Sequence, residues 1–168
     1  MREAVAGYCT VTVHYDPAQV TFRGISAAVA KLMQQKRPVH WSGRLHRVPV
    51  TYDGDDVEAV CERLEMPLAE LARRHTTPIY RVFMIGFVPG FAYLGPLDPK
   101  LQLPRLDRPR ARVPAGAVAI AGNQTGIYPL PTPGGWHLIG RTDMRMFLPD
   151  SDPPVLLRPG DRVKLFAV

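Results

Sequence analysis

Between Tyr80 and Thr142 the chain places a Gly or Pro every few residues among aromatics, arginines and short β-branched runs. Proline removes a backbone donor and fixes φ, and glycine permits turns that other residues resist, so this spacing excludes a long helix and makes the backbone turn repeatedly. Val82 to Phe87, Val118 to Ala121 and Trp136 to Ile139 read as short strands bounded by Gly or Pro. Several short strands with turn signals between them predict a barrel or sandwich. This stretch is therefore expected to be the site-bearing half of an all-β domain.

The flanking segments have different periods. Tyr8 to Tyr15 alternates as a strand does, and Asp16-Pro17 ends it in a turn. From Phe22 the apolar positions Phe22, Ile25, Val29, Leu32 and Met33 share one face of a helix. Lys36 to Leu45, with Pro38, Trp41 and Gly43 among basic residues, marks a linker, and His46 to Tyr52 reads as a strand. Asp53-Gly54-Asp55 offers a turn and an N-cap for a helix with Val57, Val60, Cys61 and Leu64 inward. A second short helix is expected from Pro67, with Leu68, Leu71 and Ala72 inward, stopping before Pro78. Pro159-Gly160-Asp161 predicts a tight turn into a final strand from Arg162 to Val168. The expected division is an α/β segment over residues 1–40 and a β-rich domain over 41–168.

The 168 residues can bury a real core, and no apolar run approaches the roughly 20 residues of a membrane span. No basic region followed by an apolar core and cleavage site opens the chain, so the expected location is the cytoplasm. Cys9 and Cys61 lack CxxC spacing and are expected to be buried structural thiols. A net charge of +6 would suit an acidic partner, a phosphorylated ligand or nucleic acid. The densest basic run, Arg105, Arg108, Arg110 and Arg112, contains no aromatic, and no nucleic-acid-binding pattern occurs, so nucleic acid is not expected as a partner.

Ser26, Ser42 and Ser151 lie in no GxSxG elbow, the five histidines have no metal-ligand spacing, and neither GxxxxGK[ST] nor GxGxxG occurs. Gly86-Phe87-Val88-Pro89-Gly90-Phe91-Ala92-Tyr93 is the most distinctive local motif. Its glycines and aromatics suit an apolar pocket wall, with a barrel corner of core aromatics as the competing account. Arg105 and Arg110 beside prolines suit bidentate pairing with a carboxylate or phosphate, or are solvated surface arginines. Gln124, Thr125 and Tyr128 put amide, hydroxyl and phenol groups on a turn after an apolar strand, either to bind a lactam or amide or to satisfy their own backbone. Trp136 and Arg141 flank one short strand and can reach the same rim, although a core anchor is the alternative for Trp136. His75 and Asp143 are the titratable groups nearest these motifs, and no residue is assigned as catalytic.

One ordered set of motifs covers most of the chain: Gly86 to Gly95, Pro104-Arg105, Pro109-Arg110, Val113-Pro114-Ala115-Gly116, Ala119-Ile120-Ala121-Gly122, Gln124 to Pro129 and Pro133-Gly134-Gly135-Trp136. Val13 to Pro17, Val48-Pro49-Val50 with Tyr52, and Leu157 to Asp161 complete it. The set resembles the family of the B-type component of the bacterial ATP-dependent 5-oxoprolinase, also labelled allophanate hydrolase subunit 1 or Kip-type sporulation-kinase inhibitor. The resemblance implies an α+β fold: a cyclophilin-like β-barrel with short helices, after a partial ferredoxin-like α/β segment whose first strand and helix are expected to be missing. It implies a subunit, inactive alone, of an enzyme that opens the lactam of 5-oxoproline to glutamate in the barrel pocket. ATP with magnesium would act in the assembled complex, with a homologous barrel subunit and a third, unrelated subunit as partners. A regulator that inhibits a sensor histidine kinase and a subunit of an allophanate or urea-amide hydrolase are the alternatives. Gly95-Pro96, Pro104-Arg105-Leu106 and Gly116-Ala117 depart from the family's Gly-Gly, Pro-Arg-Arg and Gly-Ser, so contacts of that second Arg and that Ser do not transfer. The apolar helix face, lacking its usual cover, implies self-association through residues 8–36.

Overall fold

The computed structural model describes residues 2–35 and 43–168, and the chain divides into two compact units on either side of residues 41 and 42. The first is a hairpin and a helix. Strands β1 (Glu3–Ala6) and β2 (Val11–His14) pair antiparallel, and helix α1 (Phe22–Gln34) follows, with the Thr21 hydroxyl accepting from the Gly24 amide as its N-cap. The expected strand at Tyr8 to Tyr15 is thus only the second arm, and Tyr8, Cys9 and Thr10 belong to the turn. β1 was not legible because four residues carry too little alternation. None of the helix's residues is buried, and Phe22, Leu32 and Met33 are exposed. Cys9 is exposed too, because it sits on the turn, and Cys61 is half-buried against the core, so neither is the buried thiol expected from sequence. The linker expected over 36–45 lies mainly outside the described residues, and its last residue, Leu45, is already in a strand.

The second unit is built on a curled seven-stranded sheet. Its strands are β3 (Leu45–Val50), β4 (Ile79–Ile85), β5 (Ala92–Gly95), β7 (Ala117–Ala121), β8 (Gln124–Ile127), β10 (His137–Arg141) and β11 (Arg162–Ala167), in the order β10-β7-β8-β5-β4-β11-β3. β11 lies parallel to β3 and antiparallel to β4. Pro49 is tolerated within β3 because that strand ends the ladder, where a missing N–H leaves no neighbour unpaired. The sheet curls until its ends meet: Thr51 and Arg141 exchange two backbone hydrogen bonds of 2.9 and 2.8 Å. The fold is α+β, with helices α2 (Val57–Arg63) and α3 (Leu68–Thr76) joining β3 to β4. A separate pair, β6 (Arg110–Val113) and β9 (Thr132–Gly134), forms a second small sheet. Arg110 is therefore in a strand rather than an extended loop, and Gln124 to Ile127 is the second arm of a hairpin rather than a turn.

Strand periodicity sends alternate residues to two different cores. Val118 and Ile120 of β7, Ala92 and Leu94 of β5, Ile127 and Ile139 pack into the interior with Val48, Val50, Tyr80, Val82, Val163 and Leu165, joined by Val57, Val60 and Leu71 from the helices. Ala117, Ala119 and Ala121 of the same β7 face the other way, onto Phe91, Tyr128, Trp136 and Leu138. β7 is buried along its whole length because it separates the two clusters. Small alanines on its outer face leave room for the large rings.

Candidate functional site: an aromatic cleft outside the barrel

The outer cluster opens into a cleft of about 260 Å³ lined by Phe87, Phe91, Tyr93, Arg105, Pro109, Tyr128, Pro133, Gly134, Gly135 and Trp136. Phe91 is its centre. Its ring meets Phe87 at 5.7 Å, Tyr93 at 4.9 Å, Tyr128 at 5.2 Å and Trp136 at 5.4 Å between centroids, each nearly edge to face. That geometry sets positive ring edges against negative faces and holds the wall rigid. The turn from Gly86 to Phe91 is closed by three backbone hydrogen bonds, Val88 N to Gly86 O, Phe91 N to Val88 O and Gly86 N to Phe91 O. Within it Phe87 sits at φ 70°, in the left-handed region that costs a non-glycine residue about 1 kcal/mol or more, and its ring is exposed at the lip. Backbone strain of this kind concentrates at ligand-binding turns.

Glycines set the shape of the opposite wall. A Cβ on Gly134 would collide with the Tyr128 hydroxyl, and one on Gly126 would lie 2.9 Å from the tip of Phe91 and 3.2 Å from Trp136. Burial pushes the Tyr128 phenol above its ordinary range, opposed by a hydrogen bond from the Trp136 backbone and by the positive charge of Arg105. Burial likewise raises Tyr93, again opposed by Arg105. Both phenols therefore stay protonated near neutrality and serve as hydrogen-bond donors and acceptors. Among the described residues lining the cleft, Arg105 is the only charged one.

Of the residues singled out from sequence, Phe87, Phe91, Tyr93, Arg105, Tyr128 and Trp136 share this cleft, and Arg110, Gln124, Thr125 and Arg141 do not line it. The cleft itself is not inside the barrel, where a pocket was expected: Tyr93 alternates with the inward Ala92 and Leu94 of β5, and Phe91, Tyr128 and Trp136 flank the ends of β5, β8 and β10 on the outer face. Arg110 is half-buried and pairs through Nη2 with Asp56 Oδ1, while the other carboxylate oxygen of Asp56 accepts from the Leu138 amide at 2.7 Å. Gln124 is half-buried beside the β7–β8 turn. Thr125 is fully buried in the interior, where its hydroxyl donates to the Ala119 carbonyl at 3.0 Å and accepts from His75 Nε2 at 2.8 Å. With Nε2 donating, His75 Nδ1 accepts from the Tyr52 hydroxyl at 2.7 Å, so this chain of bonds is structural. Burial lowers the pKa of His75 to about 3. Arg141 is exposed and reaches Asp53 at 2.9 Å, and Asp143 is fully exposed. Neither His75 nor Asp143, the two titratable groups nearest in sequence, lines the cleft.

Sequence reasoning passed over Pro109 and Asp56. Pro109 was legible in principle, since it precedes Arg110 in the same motif. Asp56 was not, because its partners lie 54 and 82 residues away. Asp56, and not Asp55, is also the residue before α2, but it makes no side-chain cap because its carboxylate is committed to Arg110 and Leu138.

Residues 1–157 match the family described as carboxyltransferase domain, subdomain C and D, so the chain is a domain of that class. Within it, the chain belongs to the family of the 5-oxoprolinase B component. It is 37% identical over 180 residues to the 5-oxoprolinase B component of Bacillus subtilis, covering 99% of this chain and 75% of that one, and 40% identical over 165 residues to its counterpart in Haemophilus influenzae, covering 96% and 77%. Among solved structures it superposes on TTHA0988 with a TM-score of 0.80 at 42% identity, covering 99% of this chain but 32% of that one, so it spans about a third of that protein. The Kluyveromyces lactis urea amidolyase shares the fold, with a TM-score of 0.79 at 17% identity, 99% of this chain and 12% of that one being covered.

Proposed function

We propose that this chain is the barrel subunit of a 5-oxoprolinase-type complex and that its aromatic cleft binds the lactam. The observation that carries this reading is the pairing of a rigid aromatic wall with one guanidinium: Phe91, Tyr93, Tyr128 and Trp136 offer faces and edges to a small flat ring, and Arg105 offers a fork to a carboxylate. The names of the relatives support the same substrate class. A putative urea carboxylase of Emericella nidulans, 26% identical over 117 residues, supports an acyclic urea-type amide as the second reading, for which Arg105 would have no carboxylate to meet.

The cleft holds no carboxylate, imidazole or thiol, and its phenols, Tyr93 and Tyr128, are raised by burial and stay protonated near neutrality, so neither suits the role of general base. The missing base therefore comes from a partner, a homologous barrel subunit or a third subunit, and the chain alone is inactive. ATP and magnesium are assigned to the assembled complex, where phosphorylation of the lactam oxygen would make it a leaving group. The test is to purify the chain with and without its genomic neighbours and measure ATP hydrolysis on addition of 5-oxoproline. Lactam-dependent turnover in the complex and none with the chain alone is expected. Turnover by the chain alone, or a complex that responds to urea and not to 5-oxoproline, would overturn the reading.

A further inference from the structure

A second polar cavity, of about 240 Å³, is lined by Gly43, Arg44, His46, Pro153, Leu156, Arg158 and Asp161, where β3 and β11 begin side by side. Its floor is the buried carboxylate of Asp161. Oδ1 accepts from the Arg44 amide at 2.8 Å, and Oδ2 accepts from the Arg158 amide at 3.0 Å and from His46 Nε2 at 3.0 Å. These three donors occupy both carboxylate oxygens and turn them away from the cavity's open side. With Nε2 donating to Asp161, the His46 ring is held in place at the cavity wall.

The cavity's positive groups have no such partner. Among the described residues neither the Arg44 nor the Arg158 guanidinium takes part in an ion pair, although both line this small cavity. The backbone that carries them is fixed: a Cβ on Gly43 would collide with the Gly160 carbonyl, so the segments before Arg44 and after Arg158 pack closely, and the Arg44 carbonyl accepts from the Arg162 amide at 2.8 Å. We propose that Arg44 and Arg158 form a binding site for a small oxyanion, a carboxylate or phosphate group, beside His46 and separate from the aromatic cleft. Two guanidiniums supply bidentate donors, and His46, its ring held by Asp161, forms part of the cavity wall beside them.

The probes are inorganic phosphate and succinate, titrated into the full chain at constant ionic strength with chloride as the control. Melting temperature and the ring resonances of His46 are the readouts. Phosphate or succinate is expected to raise the melting temperature beyond chloride and to shift the His46 resonances saturably. R158Q and R44Q, at exposed side chains, are expected to leave the unliganded melting temperature unchanged and to weaken binding about tenfold each. The stronger of the two probes identifies the group recognised. The proposal is overturned if neither probe differs from chloride, or if both variants bind as the parent does. Because Arg105 and the aromatic rings take no part, failure here leaves the lactam reading standing, and failure of the lactam assay leaves this site standing.

Discussion

Arg105 and Arg110 are alike in sequence, each behind a proline, and opposite in role. Arg105 is exposed at the mouth of the cleft, and the side chain of Arg110 is only 27% exposed and pinned to Asp56. Replacing Arg105 by Ala removes a charge-assisted bond worth roughly 1.5 to 3 kcal/mol to a carboxylate ligand and nothing from the core. Calorimetry on the assembled complex should find 5-oxoproline bound about tenfold more weakly, with an unchanged melting temperature. An affinity equal to the parent's would remove Arg105 from the site.

At the scale of elements, barrel closure rests on few bonds. Beyond the Thr51–Arg141 bridge, the Asp56 amide donates to the Leu138 carbonyl at 2.9 Å, and the Asp56 side chain accepts from the Leu138 amide and from Arg110. One carboxylate thus ties the segment before α2 to β10 and to β6. Arg110→Ala leaves that carboxylate, 12% exposed, without its cation, so it should cost about 1 to 3 kcal/mol in urea unfolding, where a surface arginine would cost under about 0.5. Asp56→Ala should cost more, since it also orphans the Leu138 amide. Near-parent stability in both variants would mean that the seam is held by backbone pairing alone.

For the whole molecule, acid should act through His75. Its pKa is about 3 in the folded chain against about 6.5 when unfolded, so the unfolded state binds the extra proton between those values. Stability is complete above pH 6.5 and is lost as pH falls toward 3, by up to about 1.4 kcal/mol per pH unit from this residue. Urea midpoints flat from about pH 7 to 4 would contradict the buried, neutral assignment. The N-terminal unit has the opposite problem: Val5, Val11, Phe22, Leu32 and Met33 are exposed, and a cleft of about 680 Å³ lies between its hairpin and helix. We expect this face to be covered by association through residues 8–36, so light scattering should report a mass above 18.7 kDa. A clean monomer would count against it.

Local chemistry made much of this legible from residues alone. Gly and Pro spacing announced short strands, the apolar period placed α1 and both helices of the second unit, and Pro159-Gly160-Asp161 marked the last turn, with Gly160 at φ 92°. The ordered motifs carried the family, and the run of Phe87, Phe91 and Tyr93 announced an aromatic surface. Which face that surface occupies was decided only by the tertiary structure. A strand's period is two, so the same sequence is compatible with rings inside or outside a barrel, and only the closure of the sheet gives the alternation a sign. The split between Arg105 and Arg110, the burial of Thr125 against His75 and the gathering of Arg44, His46, Arg158 and Asp161 have the same origin. Each depends on residues far apart in the chain, and sequence spacing carries no distance until the sheet is closed.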